Sequence, residues 1–348
     1  MRFGTVTIVG RPNVGKSTLL NAALGENLAI VSSVPQTTRD TLLGVVQRPA
    51  AQIAFIDTPG LHRPRSELGR RMNAAALDAL RSAEFVVFMT DVAAAGTRPR
   101  RSAAGASTAG ASSPDSMLAD RHPHETEDAA LIALLPRQTP ALLVINKVDR
   151  LRDKSRLLAY IDGYGSLHPF EAIVPASMRI PEDVQRVLSV IVQALPEGAP
   201  AYDAETLTNR PVAFFIQEYI REQVLRQTTL DVPHAVAVSV DRIEHGPNLT
   251  RIAATLHVEK PGQRKILVGH AGAAIREIGT ASRQRIEELL DRHAHLELFV
   301  RVTPRWRNAP RQLAELGYTP PDEPKLARVL ADAPPRRAPR RASSRGKP

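Results

Sequence analysis

The chain contains no cysteine. Disulfides, thiolate nucleophiles and cysteine-ligated metals are thereby excluded, and the composition fits a reducing compartment. Aromatic residues make up only 4% of the chain, with a single tryptophan, so the cores are expected to be aliphatic. No run of about 18 apolar residues is present that could span a bilayer as a helix. The first apolar run starts close to Met1 with no signal-peptide pattern ahead of it, and a cytoplasmic location is expected. Acidic residues are in the minority: 36 Asp and Glu against 46 Lys and Arg give a formal net charge of +10. Such a balance points to a polyanionic partner, either nucleic acid or an anionic membrane surface. Part of the excess lies in the basic stretch from Arg336 to Lys347, so charge alone does not choose between them.

With 348 residues the chain is long enough for about two domains. Up to residue 195, short apolar runs alternate with helical patterns. The runs are Thr5–Val9, Gln52–Ile56, Phe85–Thr90, Ala141–Ile145 and Ala172–Pro175. Several are apolar throughout, as expected for parallel strands covered on both faces, and the first domain reads as doubly wound α/β. From 93 to 125 the chain is Ala, Gly, Ser, Thr, Arg and Pro with almost no large apolar residue, which predicts a disordered surface insertion. Its Arg98–Arg101 cluster suits either a solvated loop or a nucleic-acid contact. A linker follows at 196–204. From 205 to 318 helix and strand blocks do not alternate regularly, which reads as α+β. The predicted order is a helix at Val212–Arg226, strands at Ala235–Glu244 and Leu249–Glu259, helices flanking Gly269–Gly272, and a strand at His295–Val302. Residues 319–348 read as a basic, disordered tail.

The segment Gly10-Arg11-Pro12-Asn13-Val14-Gly15-Lys16-Ser17 carries the first chemistry. A glycine-rich turn between a buried strand and a helix N-terminus aims backbone N–H groups into one small space and favours an anion there. Gly10, Asn13, Val14, Gly15, Lys16, Ser17 and Thr18 are therefore the candidate triphosphate cradle. Lys16 is expected to reach the β- and γ-phosphates, and Ser17 to offer a hydroxyl to Mg2+. Asp57-Thr58-Pro59-Gly60 ends the second apolar run: a carboxylate at Asp57 can hold Mg2+ through water, and Gly60 lets its N–H approach the γ-phosphate. Asn146-Lys147-Val148-Asp149 ends another run. Its N-K-x-D pattern matches the motif with which GTPases take guanine N1 and N2 on a carboxylate, whereas adenine would leave that carboxylate unpaired. Lys147 is expected to lay its stem along the base, and Ser177-Met178 to supply a backbone N–H to O6. Between these motifs, Pro35–Asp40 reads as a loop whose threonine senses Mg2+ and the γ-phosphate. Thr38 is favoured and Thr37 is kept open.

Together these motifs resemble the translation-factor-related GTPases, and in detail the Era-like family. The matching stretches are Gly10–Ser17, Pro35–Arg39, Asp57–His62, Asn146–Asp149, Val174–Ser177, Leu195–Gly198, Phe214–Glu222, Ile266–Gly279 and Trp306–Tyr318. The resemblance covers most of residues 3–318. It implies a P-loop GTPase domain followed by a bacterial-type (type II) KH domain, with Gly269-His270-Ala271-Gly272 as the G-x-x-G loop that lets backbone approach single-stranded RNA. Lys265, Gly269, His270, Ala271, Gly272, Ile275 and Arg276 are the RNA-contact residues it implies. His270 and Ala271 stand where the family usually has a lysine or another polar residue, and Met178 where it has alanine. Trp306 suits base stacking or packing of the domain end, with packing favoured. Leu61 stands where Ras-like GTPases carry the water-orienting glutamine, which implies slow intrinsic hydrolysis. In related enzymes an asparagine at the position of Asn13 binds potassium, so K+-stimulated hydrolysis is implied, with Lys16, Thr38 and Gly60 closest to the reacting phosphate.

The resemblance further implies a monomeric switch, driven by GTP and Mg2+. It would bind small-subunit rRNA near its 3′ end, assist small-subunit assembly and associate peripherally with the inner membrane. Other readings of the same motifs are another ribosome- or tRNA-associated GTPase, an RNA scaffold that holds GTP without hydrolysing it, and an ATP-dependent enzyme, which Asn146 and Asp149 disfavour.

Overall fold

A computed structural model describes residues 1–32, 34–92 and 127–318. The expected insertion at 93–125, with Arg98–Arg101, and the basic tail from 319 lie outside the described residues. Six strands form the first sheet in the order β2-β3-β1-β4-β5-β6. They are β1 (Arg2–Gly10), β2 (Leu42–Arg48), β3 (Ala51–Asp57), β4 (Phe85–Asp91), β5 (Ala141–Asn146) and β6 (Ala172–Pro175). All neighbours are parallel except β2 and β3, which form an antiparallel hairpin. The five expected apolar runs are β1, β3, β4, β5 and β6. β2 is an addition, joined to β3 by only Pro49 and Ala50.

Continuous apolarity in these strands has a direct cause. Phe85, Val87 and Met89 of β4 enter the core on one face of the sheet, while Val86 and Phe88 enter the core on the other. β5 divides its residues likewise, Leu142 and Val144 against Leu143 and Ile145. Helices α1 (Lys16–Leu24) and α5 (Pro181–Ala194) cover the first face; α2 (Glu67–Arg81), α3 (Glu127–Ile132) and α4 (Arg156–Gly165) cover the second. β1 lies between β3 and β4, so the chain leaves the sheet in opposite directions beside its carboxyl end, the crevice where ligands of such sheets bind.

The segment after α5 is bound along the sheet rather than loose. Val45 N–H donates to Leu207 O at 2.9 Å, and the Gln52 side chain bonds Tyr202 O at 2.7 Å and Ala201 N–H at 2.9 Å. The Val45–Leu207 bond lies on the outer edge of β2, and the Gln52 bonds hold the same segment to β3.

The second sheet has the order β7-β8-β9, from Ala237–His245, Thr250–Val258 and Ala294–Val302. β7 and β8 are antiparallel, and β8 and β9 parallel. Helices α6 (Val212–Gln227), α8 (Pro261–Val268) and α9 (Ala273–Leu290) pack on one face, matching the expected order. The strand expected from Ala235 begins instead at Ala237, because Val232–Ala235 forms a short helix, α7, started by Pro233. A last helix, α10 (Pro310–Glu315), closes the described chain. Among the described residues no helix is long and apolar enough to cross a membrane.

One buried cluster runs from Ile8 and Leu19 of the first sheet layer through Phe215, Ile216 and Ile220 of α6 to Ile278 of α9. A second junction centres on Trp306, which is fully buried with Leu68 and Met72 of α2, Ala237 and Leu313. Its indole N–H donates to Ala235 O at 2.8 Å, and its ring stacks on Tyr318 at 6.0 Å. Trp306 therefore packs the two layers together and is not displayed for base stacking. Truncating it (Trp306→Ala) is expected to destabilise the chain by about 3–5 kcal/mol in urea unfolding, as for other fully buried large aromatics. Trp306 fluorescence in the wild type is expected to move to longer wavelength in the same transition.

Candidate functional site: a nucleotide pocket and a G-x-x-G groove

Gly10 and Gly15 are forced by geometry. Gly10 has φ 148°, and a Cβ there would lie 2.1 Å from Met89 O; Gly15 has φ 111°, and a Cβ there would lie 2.1 Å from Asn146 Nδ2. With both as glycine, the loop turns tightly from β1 into α1 and leaves a cavity of about 520 Å³. Asn13, Gly15, Lys16, Ser17 and Thr18 line it from the phosphate loop, Thr38 from the Pro35–Asp40 loop, Gly60 from the turn after β3, and Asn146, Lys147, Asp149, Ser177 and Met178 from the opposite end. Gly10, Val14 and Asp57 stand one layer behind. Pro12, Gln36 and Thr37, from the two loop motifs, also line the pocket, as do Ile30, Val31, Ser32, Arg150 and Arg179, which no motif reading singled out.

Three oxygens meet at one end. Ser17 Oγ donates to Asp57 Oδ2 at 2.7 Å and lies 2.9 Å from Thr38 Oγ1, which is 3.5 Å from the same carboxylate oxygen. Thr37 is turned away: its hydroxyl donates to Val34 O at 2.6 Å. Of the two threonines left open, Thr38 is the one at the cluster. Asp57 Oδ1 is buried with no hydrogen-bond partner among the described residues, and burial pushes the carboxyl above its ordinary pKa against the pull of Lys16, Ser17 and Thr38. An orphaned carboxylate oxygen beside two hydroxyls fits a hard divalent cation, which prefers oxygen donors. Ser17, Thr38 and Asp57 would hold it.

Lys16 is buried and donates to Gly10 O at 3.2 Å and Arg11 O at 3.0 Å. Burial pulls its pKa down to about 8, Asp57 opposing and Arg11 assisting. Gly60 packs flat on the loop, since a Cβ would lie 2.7 Å from Pro12 N. Leu61 is buried in the core with Val9 and Leu77, so its side chain faces away from the pocket.

At the base end Asn146 acts as a strut. Its Nδ2 donates to Val14 O at 2.7 Å, while its Oδ1 accepts from Lys147 N–H at 2.7 Å and Met178 N–H at 3.0 Å. Lys147 has left-handed φ of 62°, and its ammonium is held by Asp91 Oδ2 at 2.5 Å and Asn13 O at 2.6 Å, which stretches its stem across the pocket. Asp149 lies exposed on the rim. The expectation for Ser177 and Met178 changes here. Ser177 N–H donates to Asp183 Oδ2 at 2.6 Å and Met178 N–H to Asn146, so either can serve O6 only by exchanging a bond it already makes.

The second cavity, about 540 Å³, lies beside the G-x-x-G turn. Gly269 has φ 72°, and a Cβ there would lie 2.8 Å from Ala274; Ala271 takes the left-handed region at φ 48°, an uncommon cost for a residue with a Cβ. Gly272, Ile275 and Arg276 line the groove as expected. Lys265, Gly269, His270 and Ala271 lie outside its lining, the last two exposed on the loop. Gly279, Thr280 and Arg283 join it from the same face of α9, and Ala294, Leu296 and Leu298 from alternate positions of β9. Helical spacing from Gly272 and strand alternation from Ala294 were the signals that could have found them.

The family described as 50S ribosome-binding GTPase matches residues 5–147, and the KH-domain family matches residues 231–307. GTPase Era of Geobacter metallireducens is 41% identical over 91% of this chain and 98% of its own length; GTPase Era of a Nostoc strain is 37% identical over 91% and 90%. This chain belongs to the Era GTPase family. Two solved Era structures agree. One is an Aquifex aeolicus Era variant bound to GDP·AlF4−, 33% identical with a TM-score of 0.79 over 92% of this chain and 100% of its own. The other is Era in complex with MgGDPNP and nucleotides 1506–1542 of 16S ribosomal RNA, 34% identical with the same TM-score over 92% and 99%. The expected P-loop domain and KH domain thus both stand.

As an Era-family GTPase the chain should bind nucleotide in a pH-dependent way through Lys16. Phosphate favours the ammonium, so a pKa near 8 rises on binding; affinity is then full below that value and falls as pH rises through it. GTP titrations should show little change up to about pH 7.5 and several-fold weaker binding near pH 9. The slope should be absent in Lys16→Met.

Proposed function

We propose that this GTPase is a switch that grips small-subunit rRNA near its 3′ end and releases it on hydrolysis, assisting assembly of the small subunit. The observation that carries this reading is the position of both nucleotide-sensing segments at the junction with the KH domain. The loop at Thr37–Arg39 touches α6 and α7, and α2, which follows Asp57–Gly60, packs on Trp306 and Leu313. An Era structure bound to a 16S fragment, matched over 92% of this chain, supports the choice of RNA.

In the proposed cycle Lys16 binds the β- and γ-phosphates, and Ser17, Thr38 and Asp57 hold Mg2+, which would neutralise charge on the phosphates. Gly60 N–H approaches the γ-phosphate. Asp149 accepts from guanine N1 and N2, and Asn146 holds Asp149's loop against the phosphate loop. With Leu61 turned into the core, no side chain at that position orients water, which supports slow intrinsic turnover. Asn13, with φ 64° on the pocket wall, is proposed to bind K+ as a further charge stabiliser. We take the working form as a cytoplasmic monomer. Its basic balance supports a peripheral contact with anionic membrane as well as RNA.

Two measurements test this. Arg276→Ala should weaken binding of an oligonucleotide with the 3′ end of small-subunit rRNA by about tenfold and flatten the salt dependence by roughly 0.7 in slope, the value for one phosphate contact on a single strand. Equal binding of a scrambled sequence would sink the rRNA assignment. GTP turnover should be several-fold faster in K+ than in Na+ buffer and lose that preference in Asn13→Ala; equal rates would remove potassium from the mechanism, and no turnover above that of Lys16→Ala would leave a non-hydrolysing scaffold.

A further inference from the structure

Thr38 is held from both sides by residues that do not touch the nucleotide pocket. On one side, Arg221 of α6 donates from Nη2 to the carbonyl of Thr37 at 2.5 Å. That guanidinium is itself fixed by Glu218, through Nε to Oε1 at 2.7 Å and Nη2 to Oε2 at 2.5 Å. On the other side, Arg39 donates to Val236 O at 2.6 Å and Pro233 O at 3.3 Å and lies 5.8 Å from the Trp306 ring centre. Arg39 and Arg221 are only 5% and 1% exposed. Between them, Thr38 Oγ1 is 2.9 Å from Ser17 Oγ.

We infer that Arg221 is a positioning residue for GTP hydrolysis: by anchoring the Thr37 carbonyl it sets Thr38 at the cation cluster, so that a side chain attached to the RNA-binding half of the chain governs the triphosphate state. The inference rests on the proposed role of Thr38. Burial makes the anchor effective. A charged donor on a carbonyl inside protein is stronger than the same contact in water, and breaking it strands a buried charge rather than exchanging it for solvent. The loop therefore has a defined place only while the second half of the chain is docked against it. Triphosphate and diphosphate depend on this differently, because Thr38 is the residue expected to sense the γ-phosphate, whereas Lys16 and the base-end residues serve both.

The test compares Arg221→Met, which keeps the length and removes the donor, with Thr38→Ala and the double variant in the full chain. Arg221→Met should bind Mg·GDPNP about tenfold more weakly, the loss expected for a charged hydrogen bond, and need several-fold more Mg2+ for half-maximal hydrolysis. Its Mg·GDP affinity should stay near wild type, while loss of the buried Arg221–Glu218 pair lowers the unfolding midpoint. Adding Arg221→Met to Thr38→Ala should cost little more than Thr38→Ala alone, because both act through one contact. Equal losses of GDPNP and GDP, or independent losses in the double variant, would reduce Arg221 to a structural residue. Unchanged GDPNP binding in Arg221→Met alongside a clear defect in Thr38→Ala would overturn the inference alone. An unimpaired Thr38→Ala would instead remove the site reading beneath it, and the inference with it. If Arg221→Met fails to fold, Glu218→Gln, which loosens the same guanidinium, should give a smaller defect of the same kind, and its absence counts equally against the proposal.

Discussion

Two buried guanidinium groups at one junction constrain how the halves of this chain can sit together. Arg39 and Arg221 are both withdrawn from water, and the positive charge of Arg221 depresses the pKa of Arg39, the larger depression coming from burial. Glu218 neutralises Arg221, while Arg39 relies on the carbonyls of Val236 and Pro233 and on the Tyr318 hydroxyl at 3.5 Å. Nη1 of Arg221 has no partner among the described residues. Apart from that Nη1 group, the charges of the junction have their partners when docked. A small displacement would leave a buried cation without its acceptor, which costs several kcal/mol, whereas full separation returns both groups to water. Intermediate arrangements are the unfavourable ones, which is the property the proposed switch would use.

The same junction gathers both nucleotide-sensing segments. Arg71 of α2 donates to Tyr318 O at 2.7 Å, and Glu67 N–H to Asn308 Oδ1 at 3.1 Å, so the segment from Trp306 to Tyr318 bridges α2 and Arg39. On the opposite side α6 continues the path towards RNA. Glu222, adjacent to Arg221, is buried and paired with Arg285 of α9, which also donates to Asn27 O at 2.7 Å and lies 4.1 Å from the Tyr219 ring centre. α9 begins at the G-x-x-G turn and carries Arg276. Contacts therefore run without a gap from Thr38 to the groove. Contiguity by itself is not coupling, which would need two arrangements of this path that both sites bias.

How much of this was legible from residue order depends on the range of the interaction. Continuous apolar runs announced five of the six strands of the first sheet, because burial on both faces leaves no polar alternation. The missing β2 lies at an edge, and its connection through Pro49-Ala50 lacks the Asn-Gly or Asp-Gly signal of a tight hairpin. α7 and α10, four and six residues long, are too short for a helical period to show. The phosphate loop, Asp57–Gly60 and Asn146–Asp149 were readable because each is a local turn after a strand. What Ser177 and Met178 do with their N–H groups was not, since Asp183 and the Asn146 rotamer decide it. Arg221 lies 184 positions from Thr37, in a helix where an arginine ordinarily reads as a solvated charge. Only the packed interface reveals it as buried.

Leu61 explains why control by docking suits this site. In a GTPase that orients its water with a side chain at this position, rate depends on that one group. Here the position belongs to the core, so in the proposed cycle the pocket's competence would rest on whether Thr38, Gly60 and their loops are in place. A site whose competent arrangement is populated for a fraction of the time binds and acts in proportion to that fraction. The second half of the chain touches the Thr37–Arg39 loop and α2 and lines none of the pocket. It can therefore raise or lower the fraction without contributing any group to the chemistry, and an RNA seated along α9 would act on hydrolysis by the same route. Under the proposed function linkage makes this reciprocal: whatever binding energy an RNA spent on ordering Thr38, the triphosphate would return to the RNA.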